Sequence, residues 1–233
     1  KGRNIYAWNL NSNLMRHWKS NNIENYAMCA VGDQQLAVVG KARIEIWSVN
    51  GDLIDSITLP KYRGKINCIA WNPVSQQMYL GLNQIKGSGL YQYIGSTWKQ
   101  IEGFPFQVVK IAFSPNGHQI AVGTNSNRLY YGAINNAQKA PETFTFSSFS
   151  HDGKDECNDL AFSPDGKKLA IATKGSKAII FDLTKKTEAL ILSDVYEQGM
   201  FKVLFSPDGK SIYSGGGDGW VYVYKIPVVY GTN

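Results

Sequence analysis

The chain has 233 residues, enough to bury a sizeable core, and none of it has the composition of a disordered tail. It has no run of about 18 apolar residues and no secretory signal pattern, so no transmembrane helix or leader is predicted. The net charge of +6 permits an anionic partner without requiring one, and the 23 Gly and 13 Tyr favour an all-β protein rich in turns.

The chain opens with an incomplete unit. Apolar and polar side chains alternate from Asn4 to Leu10, as they would on the third strand of a repeated unit. Leu14 to Trp18 would form the fourth strand of that unit. The first two strands of that unit are absent, and the chain begins with Lys1 rather than Met. We therefore expect upstream residues to be missing, and residues 1–233 to form a single domain of a longer protein.

Five further units follow, each predicted as a series of short strands without a helix. A corner of the Ser-Pro-Asp-Gly type joins the first two strands of most units, because Pro presets φ and Gly supplies a positive φ. The prolines of these corners lie 42, 49 and 43 residues apart, at Pro73, Pro115, Pro164 and Pro207. The units are predicted from Tyr26 to Leu59, Ile66 to Phe104, Val108 to Ser147, Cys157 to Ser193 and Phe201 to Ile226. Four-stranded units at such a period are typical of stacked blades.

Three cysteines, Cys29, Cys68 and Cys157, each lie at or beside the first strand of a unit. Their odd number and wide spacing favour buried free thiols in a reducing compartment, which predicts a cytoplasmic protein. No Cys or His spacing indicates zinc, and no motif indicates a cofactor.

The units resemble WD repeats. The resemblance rests on the corner AFSPDG, on second strands of the LAIA type and on third strands that end in an aromatic residue, such as IEIW, AIIF and VYVY. It implies an all-β propeller of four-stranded blades, with at least five blades visible, a leading half blade, and six or seven blades when whole. Members of that family often place an Asp before the third strand, and here only Asp218 clearly fills that position. The resemblance therefore implies a divergent member with fewer hydrogen bonds inside its blades.

In this family the turns between second and third strands gather on one rim, which here is rich in cations. Arg43, Arg128 and Lys177 share one register position, which Trp220 fills in the last unit. A positive rim with an aromatic side chain suits carboxylate or phosphate groups. The candidate partner-binding residues, hereafter the basic rim, are Lys41, Arg43, Lys86, Arg128, Lys174, Lys177 and Trp220.

The resemblance implies a non-catalytic scaffold for protein partners, and the basic rim predicts an acidic or phosphorylated partner segment. Binding of nucleic acid or phosphoinositide by the same rim is the alternative, and it would weaken steeply with salt. A hydrolase or lyase is less favoured, because the predicted innermost strands hold no His and Asp159 is the one carboxylate that could face a channel. The acidic pair Asp155 and Glu156 is interpreted as a solvated loop.

Overall fold

In the computed structural model every regular element of the described residues is a β-strand. The structure describes residues 3–9, 11–59, 65–83, 89–102, 107–126, 128–134, 143–145, 156–175, 177–192 and 199–227. Over those residues there are twenty-one strands in six antiparallel sheets. The chain divides into two compact units, the first comprising Lys1–Val108 with Gln138–Ala140 and the second Val109–Ala137 with Pro141–Asn233.

The first unit contains a two-stranded sheet and two four-stranded blades. The two-stranded sheet consists of β1 (Asn4–Asn9) and β2 (Leu14–Lys19). The first blade consists of β3 (Ala27–Val31), β4 (Gln35–Val39), β5 (Arg43–Ser48) and β6 (Leu53–Thr58). The second blade consists of β7 (Lys65–Asn72), β8 (Gln77–Asn83), β9 (Leu90–Ile94) and β10 (Thr97–Ile101).

The strands from β11 onward form three more blades, and all but Val108 belong to the second unit. The third blade consists of β11 (Val108–Phe113), β12 (Gln119–Thr124), β13 (Arg128–Ala133) and β14 (Thr143–Thr145). The fourth consists of β15 (Cys157–Phe162), β16 (Lys168–Thr173), β17 (Ala178–Asp182) and β18 (Thr187–Leu192). The fifth consists of β19 (Met200–Phe205), β20 (Ser211–Gly216) and β21 (Val221–Lys225).

The predicted blade pattern is confirmed. The leading half blade pairs as expected, with Asn4 opposite Lys19 and Asn9 opposite Leu14. The fifth blade has three strands over the described residues, as the proline after β21 predicts. The limits of β1 and β2 lie within one residue of the predicted ones.

The corner turns close as their sequence predicts. In the fourth blade the Ser163 hydroxyl donates to Asp165 Oδ1 at 2.6 Å and accepts the Lys168 N–H at 2.9 Å. Gly166 takes a φ of +70°, which an L side chain rarely adopts. Ser206 and Asp208 repeat the arrangement in the fifth blade. The repeat therefore follows from local turn chemistry.

Within each unit the blades pack face to face, so an inner blade has two buried faces. In the first unit one core contains Ile44 and Ile46 of the first blade with Leu80 of the second. In the second unit Ile171 of the fourth blade packs towards the third, while Ile180 packs towards the fifth. This stacking explains the nearly continuous apolar second and third strands, because alternate side chains point into different cores.

Candidate partner-binding rim

Short turns hold the rim residues at the start of each third strand. The Gly40 N–H donates to the carbonyl oxygen of Arg43 at 2.9 Å, and the Thr173 N–H donates to that of Lys177 at 2.9 Å. The Thr124 hydroxyl reaches the carbonyl oxygen of Arg128 at 2.8 Å. These bonds close equivalent turns, so Arg43, Arg128 and Lys177 have the shared register that the sequence predicts.

In the first unit the rim contributes Lys41 and Arg43, and both are exposed. The Arg43 guanidinium does not simply point into solvent. Its Nε lies 3.3 Å from Glu45 Oε1, and its Nη2 donates to the carbonyl oxygen of Asn21 at 3.2 Å. Much of its charge therefore compensates a buried acid. Lys86 lies outside the described residues.

In the second unit the rim contributes three exposed residues, Arg128, Lys174 and Trp220, together with the partly buried Lys177. Lys174 lies 3.5 Å from a carboxylate oxygen of Glu156, so its charge is partly balanced. Trp220 is 70% exposed, which is unusual for an indole.

Asp218, the acid of the rim turns, makes two local hydrogen bonds. Its Oδ1 accepts the N–H of Trp220 at 3.0 Å, and its Oδ2 accepts the hydroxyl of Tyr222 at 2.9 Å. Both partners lie within four residues of Asp218. Asp218 thus shapes the turn that presents Trp220.

The sequence reasoning missed the best-connected acid of the first unit, Glu45, which is 1% exposed. Its Oε2 accepts the Ser20 hydroxyl at 2.8 Å, the Asn21 N–H at 3.2 Å and the indole N–H of Trp47 at 3.0 Å. Glu45 therefore anchors the first blade through hydrogen bonds other than those that an Asp before the third strand would make. The signal was the position of the acid on a third strand of a stacked blade, since alternate side chains there point into two different cores and neither face of the strand is solvated.

Asp159, the carboxylate proposed to face a channel, is instead buried at 3% exposure. Its Oδ1 lies 2.7 Å from the ammonium of Lys110 and 3.7 Å from that of Lys202, and its Oδ2 accepts the Val203 N–H at 3.2 Å. Asp159 therefore connects three first strands through its buried carboxylate. Glu156 pairs with Lys174, and its neighbour Asp155 lies outside the described residues.

The described part of the chain contains neither a metal-binding cluster nor a membrane-spanning helix. No cluster of three or more His, Cys, Asp or Glu is placed there to hold a metal ion. The same residues include no helix that is long and apolar enough to cross a membrane. Cys68 and Cys157 are buried, and Cys29 is partly buried.

Comparison with known proteins identifies the repeat. Residues 143–182 and 196–225 match the WD domain, G-beta repeat. A stretch of 172 residues, 72% of this chain, is 25% identical to WD repeat-containing protein 1 of Rattus norvegicus and covers 27% of that protein. A stretch of 118 residues, 49% of the chain, is 31% identical to WD repeat-containing protein 82 of Drosophila melanogaster and covers 36% of it.

A longer alignment covers 97% of the chain, at 22% identity to the echinoderm microtubule-associated protein-like 2 of Mus musculus, and spans 34% of that protein. The chain thus spans between about a quarter and just over a third of the length of these three relatives. Repeated corners, four-stranded blades and these matches agree, and the chain is a divergent member of the WD-repeat family.

Proposed function

We propose that this chain is a non-catalytic scaffold that binds a protein partner through an acidic or phosphorylated segment. The observation that carries the proposal is the common position of Arg128, Lys177 and Trp220 at the start of the third strand in consecutive blades of the second unit. The WD-repeat relatives support the general part of it. Fold alone does not give a function, so the specific part rests on these side chains.

The chemistry of these side chains suits an anionic peptide. An Arg guanidinium can bind a carboxylate or phosphate through two parallel N–H groups, and a Lys adds a compact positive charge. The exposed Trp220 offers an apolar surface on which a peptide side chain can pack. Arg43 and Lys174 contribute less to such a site, because Glu45 and Glu156 already balance their charges.

The test is direct binding of an acidic probe. We would measure fluorescence anisotropy of a peptide rich in Glu and phosphoserine, comparing the unaltered chain with Arg128→Glu/Lys177→Glu. The matched control is Lys167→Glu/Lys210→Glu, which changes the net charge equally at exposed corners on the opposite ends of the strands. We expect the rim variant to weaken binding by at least about tenfold and the control by less than about threefold, since close charge pairs contribute more than distant ones.

Salt dependence and Trp220 separate the partner classes. Raising the salt concentration from about 50 to about 200 mM should lower the affinity for the peptide modestly, whereas the affinity for a nucleic acid would fall far more steeply. Trp220→Ala should weaken peptide binding at both salt concentrations. Equal loss in the rim and control variants would show that net charge alone attracts the probe, and the proposal would then fail.

A further inference from the structure

A small cavity lies between two hairpins of the first unit. Strands β1 and β2 line one side of it, and the turn between β5 and β6 lines the other. Its volume is about 250 Å³. Pockets for drug-sized ligands usually measure about 300 to 1,000 Å³, so this cavity suits a single amino-acid residue better than a cofactor.

The cavity lies where the half blade carries a small side chain. Ala7 is the fourth residue of β1, whereas the fourth residues of β5 and β13 are Ile46 and Tyr131. Both of these larger side chains are at most 9% exposed. Ala7 pairs with Arg16 across the two-stranded sheet, and both residues line the cavity. Because the side chain of Ala7 ends at Cβ, space remains beside the guanidinium.

The cavity has polar groups that can donate hydrogen bonds. They belong to Asn9, Arg16 and Asn50. Arg16 Nη1 donates to Asn50 Oδ1 at 2.5 Å, which links the two hairpins. Asn9 Oδ1 accepts the N–H groups of Asn11 and Ser12 at 3.0 Å, so its amide nitrogen can serve as a donor. The guanidinium is thus held at one nitrogen and keeps further N–H groups for a ligand.

The charge of this cavity is not compensated. Among the described residues no carboxylate pairs with Arg16, whereas Arg43 pairs with the buried Glu45. No acid lies among the side chains that line the cavity, and residues 1–23 of the sequence contain none. The cavity should therefore attract an anion, and a ligand ammonium would have no counter-ion there.

Apolar side chains lie beside the guanidinium. Trp8, Leu14 and Val49 line the cavity and are 60%, 51% and 38% exposed. A ligand that covers them and pairs with Arg16 must carry an apolar group and an anionic group within the length of one residue. The C-terminal residue of a polypeptide carries both on one Cα, and unlike a free amino acid it brings no ammonium.

We propose that this cavity binds the C-terminal residue of a partner polypeptide. The α-carboxylate pairs with the Arg16 guanidinium, which can offer two parallel N–H groups, and the apolar side chain packs against Trp8, Leu14 and Val49. The cavity lies at the ends of the third strands β1 and β5, whereas the basic rim lies at the starts of third strands. The proposal therefore does not depend on the function proposed above.

The first test varies the ligand and leaves the chain unaltered. The probe is the peptide acetyl-Gly-Ser-Gly-Leu with a free C-terminal carboxylate, and NMR shifts of the Asn50 side-chain amide report its binding to the isotope-labelled chain. We expect the C-terminal amide of this peptide, and a free-acid peptide that ends in Gly, to bind at least about tenfold more weakly. Equal affinity of acid and amide would overturn the pairing with Arg16, and equal affinity of the Leu and Gly peptides would overturn the apolar contact.

Two further probes separate a chain terminus from other sources of the same groups. Free leucine adds an ammonium, and acetyl-Gly-Asp-Leu-amide places its carboxylate on an internal residue. We expect each to bind at least about fivefold more weakly than the free-acid Leu peptide, because the charge is then unbalanced or misplaced. Equal binding of free leucine would make the cavity an amino-acid site, and equal binding of the internal acid would make it a site for acidic segments. Either result would overturn the proposal.

The second test varies the cavity. Arg16→Gln should weaken binding of the Leu peptide at least about tenfold, whereas Lys19→Gln should weaken it less than about twofold. Lys19 is the matched control, an exposed cation on the opposite face of the same strand. Equal losses would mean that net charge alone attracts the peptide, and the proposal would then fail.

Ala7→Ile gives β1 the residue that β5 carries at this position, and it should fill the cavity and abolish binding. If this variant binds the Leu peptide as the unaltered chain does, the cavity is not the site. The comparisons among peptides use the unaltered chain, so they decide the proposal even if a variant fails to fold.

Discussion

Among the residues that the structure describes, each unit buries one acid almost completely, and the two acids are compensated in different ways. Glu45 is 1% exposed, and its Oε2 receives the Ser20 hydroxyl, the Asn21 N–H and the Trp47 indole N–H. Three neutral donors thus solvate the carboxylate, while the Arg43 guanidinium approaches Oε1 from the exposed side at 3.3 Å. The donors come from the connection after β2 and from β5 itself.

Asp159 is 3% exposed, but it is compensated mainly by charge. Lys110 lies at 2.7 Å, Lys202 lies at 3.7 Å, and one backbone N–H, that of Val203, completes the set. Its cations are 29% and 67% exposed and remain in partial contact with water. The comparison indicates that loss of Glu45 would strand buried donors, whereas loss of Asp159 would mostly release lysines that water can solvate.

The largest effect is expected from Glu45→Ala. It leaves the Ser20 hydroxyl and the Trp47 indole N–H buried without their acceptor, so we expect the free energy of unfolding to fall by about 3–5 kcal/mol. Urea denaturation followed by tryptophan fluorescence would measure it. Glu45→Gln keeps one acceptor oxygen and should lose clearly less. If Gln and Ala lose the same amount, the charge rather than the set of donors is what matters at this site.

Asp159→Asn should have the second largest effect. The amide keeps the shape and one acceptor, but the two ammonium groups lose their counter-ion, and we expect a loss of about 2–3 kcal/mol. The same urea experiment applies. A loss larger than that of Glu45→Ala would reverse the comparison, because it would mean that partly exposed lysines stabilise the fold more than buried neutral donors do.

The fold could be predicted because its signals are local. The corner around Ser163 and Asp165 is determined by residues within five positions of one another, so the sequence displays it directly. The repeated corners then imply repeated strands, and the repeat implies blades. The shared register of Arg128 and Lys177 was readable for the same reason.

The state of the candidate site could not be predicted, because it depends on contacts distant in sequence. The sequence indicates that Arg43 is a cation of the rim, but in the structure its guanidinium pairs with the buried Glu45. Glu45 is buried because the connection at Ser20 closes over it. The sequence indicates that Asp159 could face a channel. Its partners, Lys110 and Lys202, lie on the neighbouring blades and are distant from it in sequence, so the strand of Asp159 alone does not reveal them. Single-strand patterns carry no information about such partners.

A smaller effect should separate the two cations of Asp159. Lys110→Met removes the closer and less exposed partner and should cost about 1–2 kcal/mol, whereas Lys202→Met should change the free energy of unfolding by less than about 0.5 kcal/mol, as exposed ion pairs usually do. The two variants are matched in chemistry and in strand position. If urea denaturation gives the same loss of unfolding free energy for both variants, neither the distance from Asp159 nor the exposure of the lysine determines how much each ion pair stabilises the fold.

Asp165→Asn should change the free energy of unfolding least of these variants. Unlike Glu45 and Asp159, Asp165 is exposed. The Ser163 hydroxyl and the Lys167 N–H lower the pKa of Asp165 below its ordinary value of about 3.9. A lowered folded pKa means that its stabilisation is fully present above the ordinary value and is lost as the pH falls through the lowered one. The free energy of unfolding of the variant should therefore depend less steeply on pH in acid than that of the unaltered chain, with little change at pH 7.

Asn116 accepts the equivalent bonds in the third blade, so the corner itself should persist in the variant. An acid dependence as steep as before would mean that Asp165 contributes no titratable stability, and that the pH response belongs to other carboxylates whose pKa is lowered, such as Asp208.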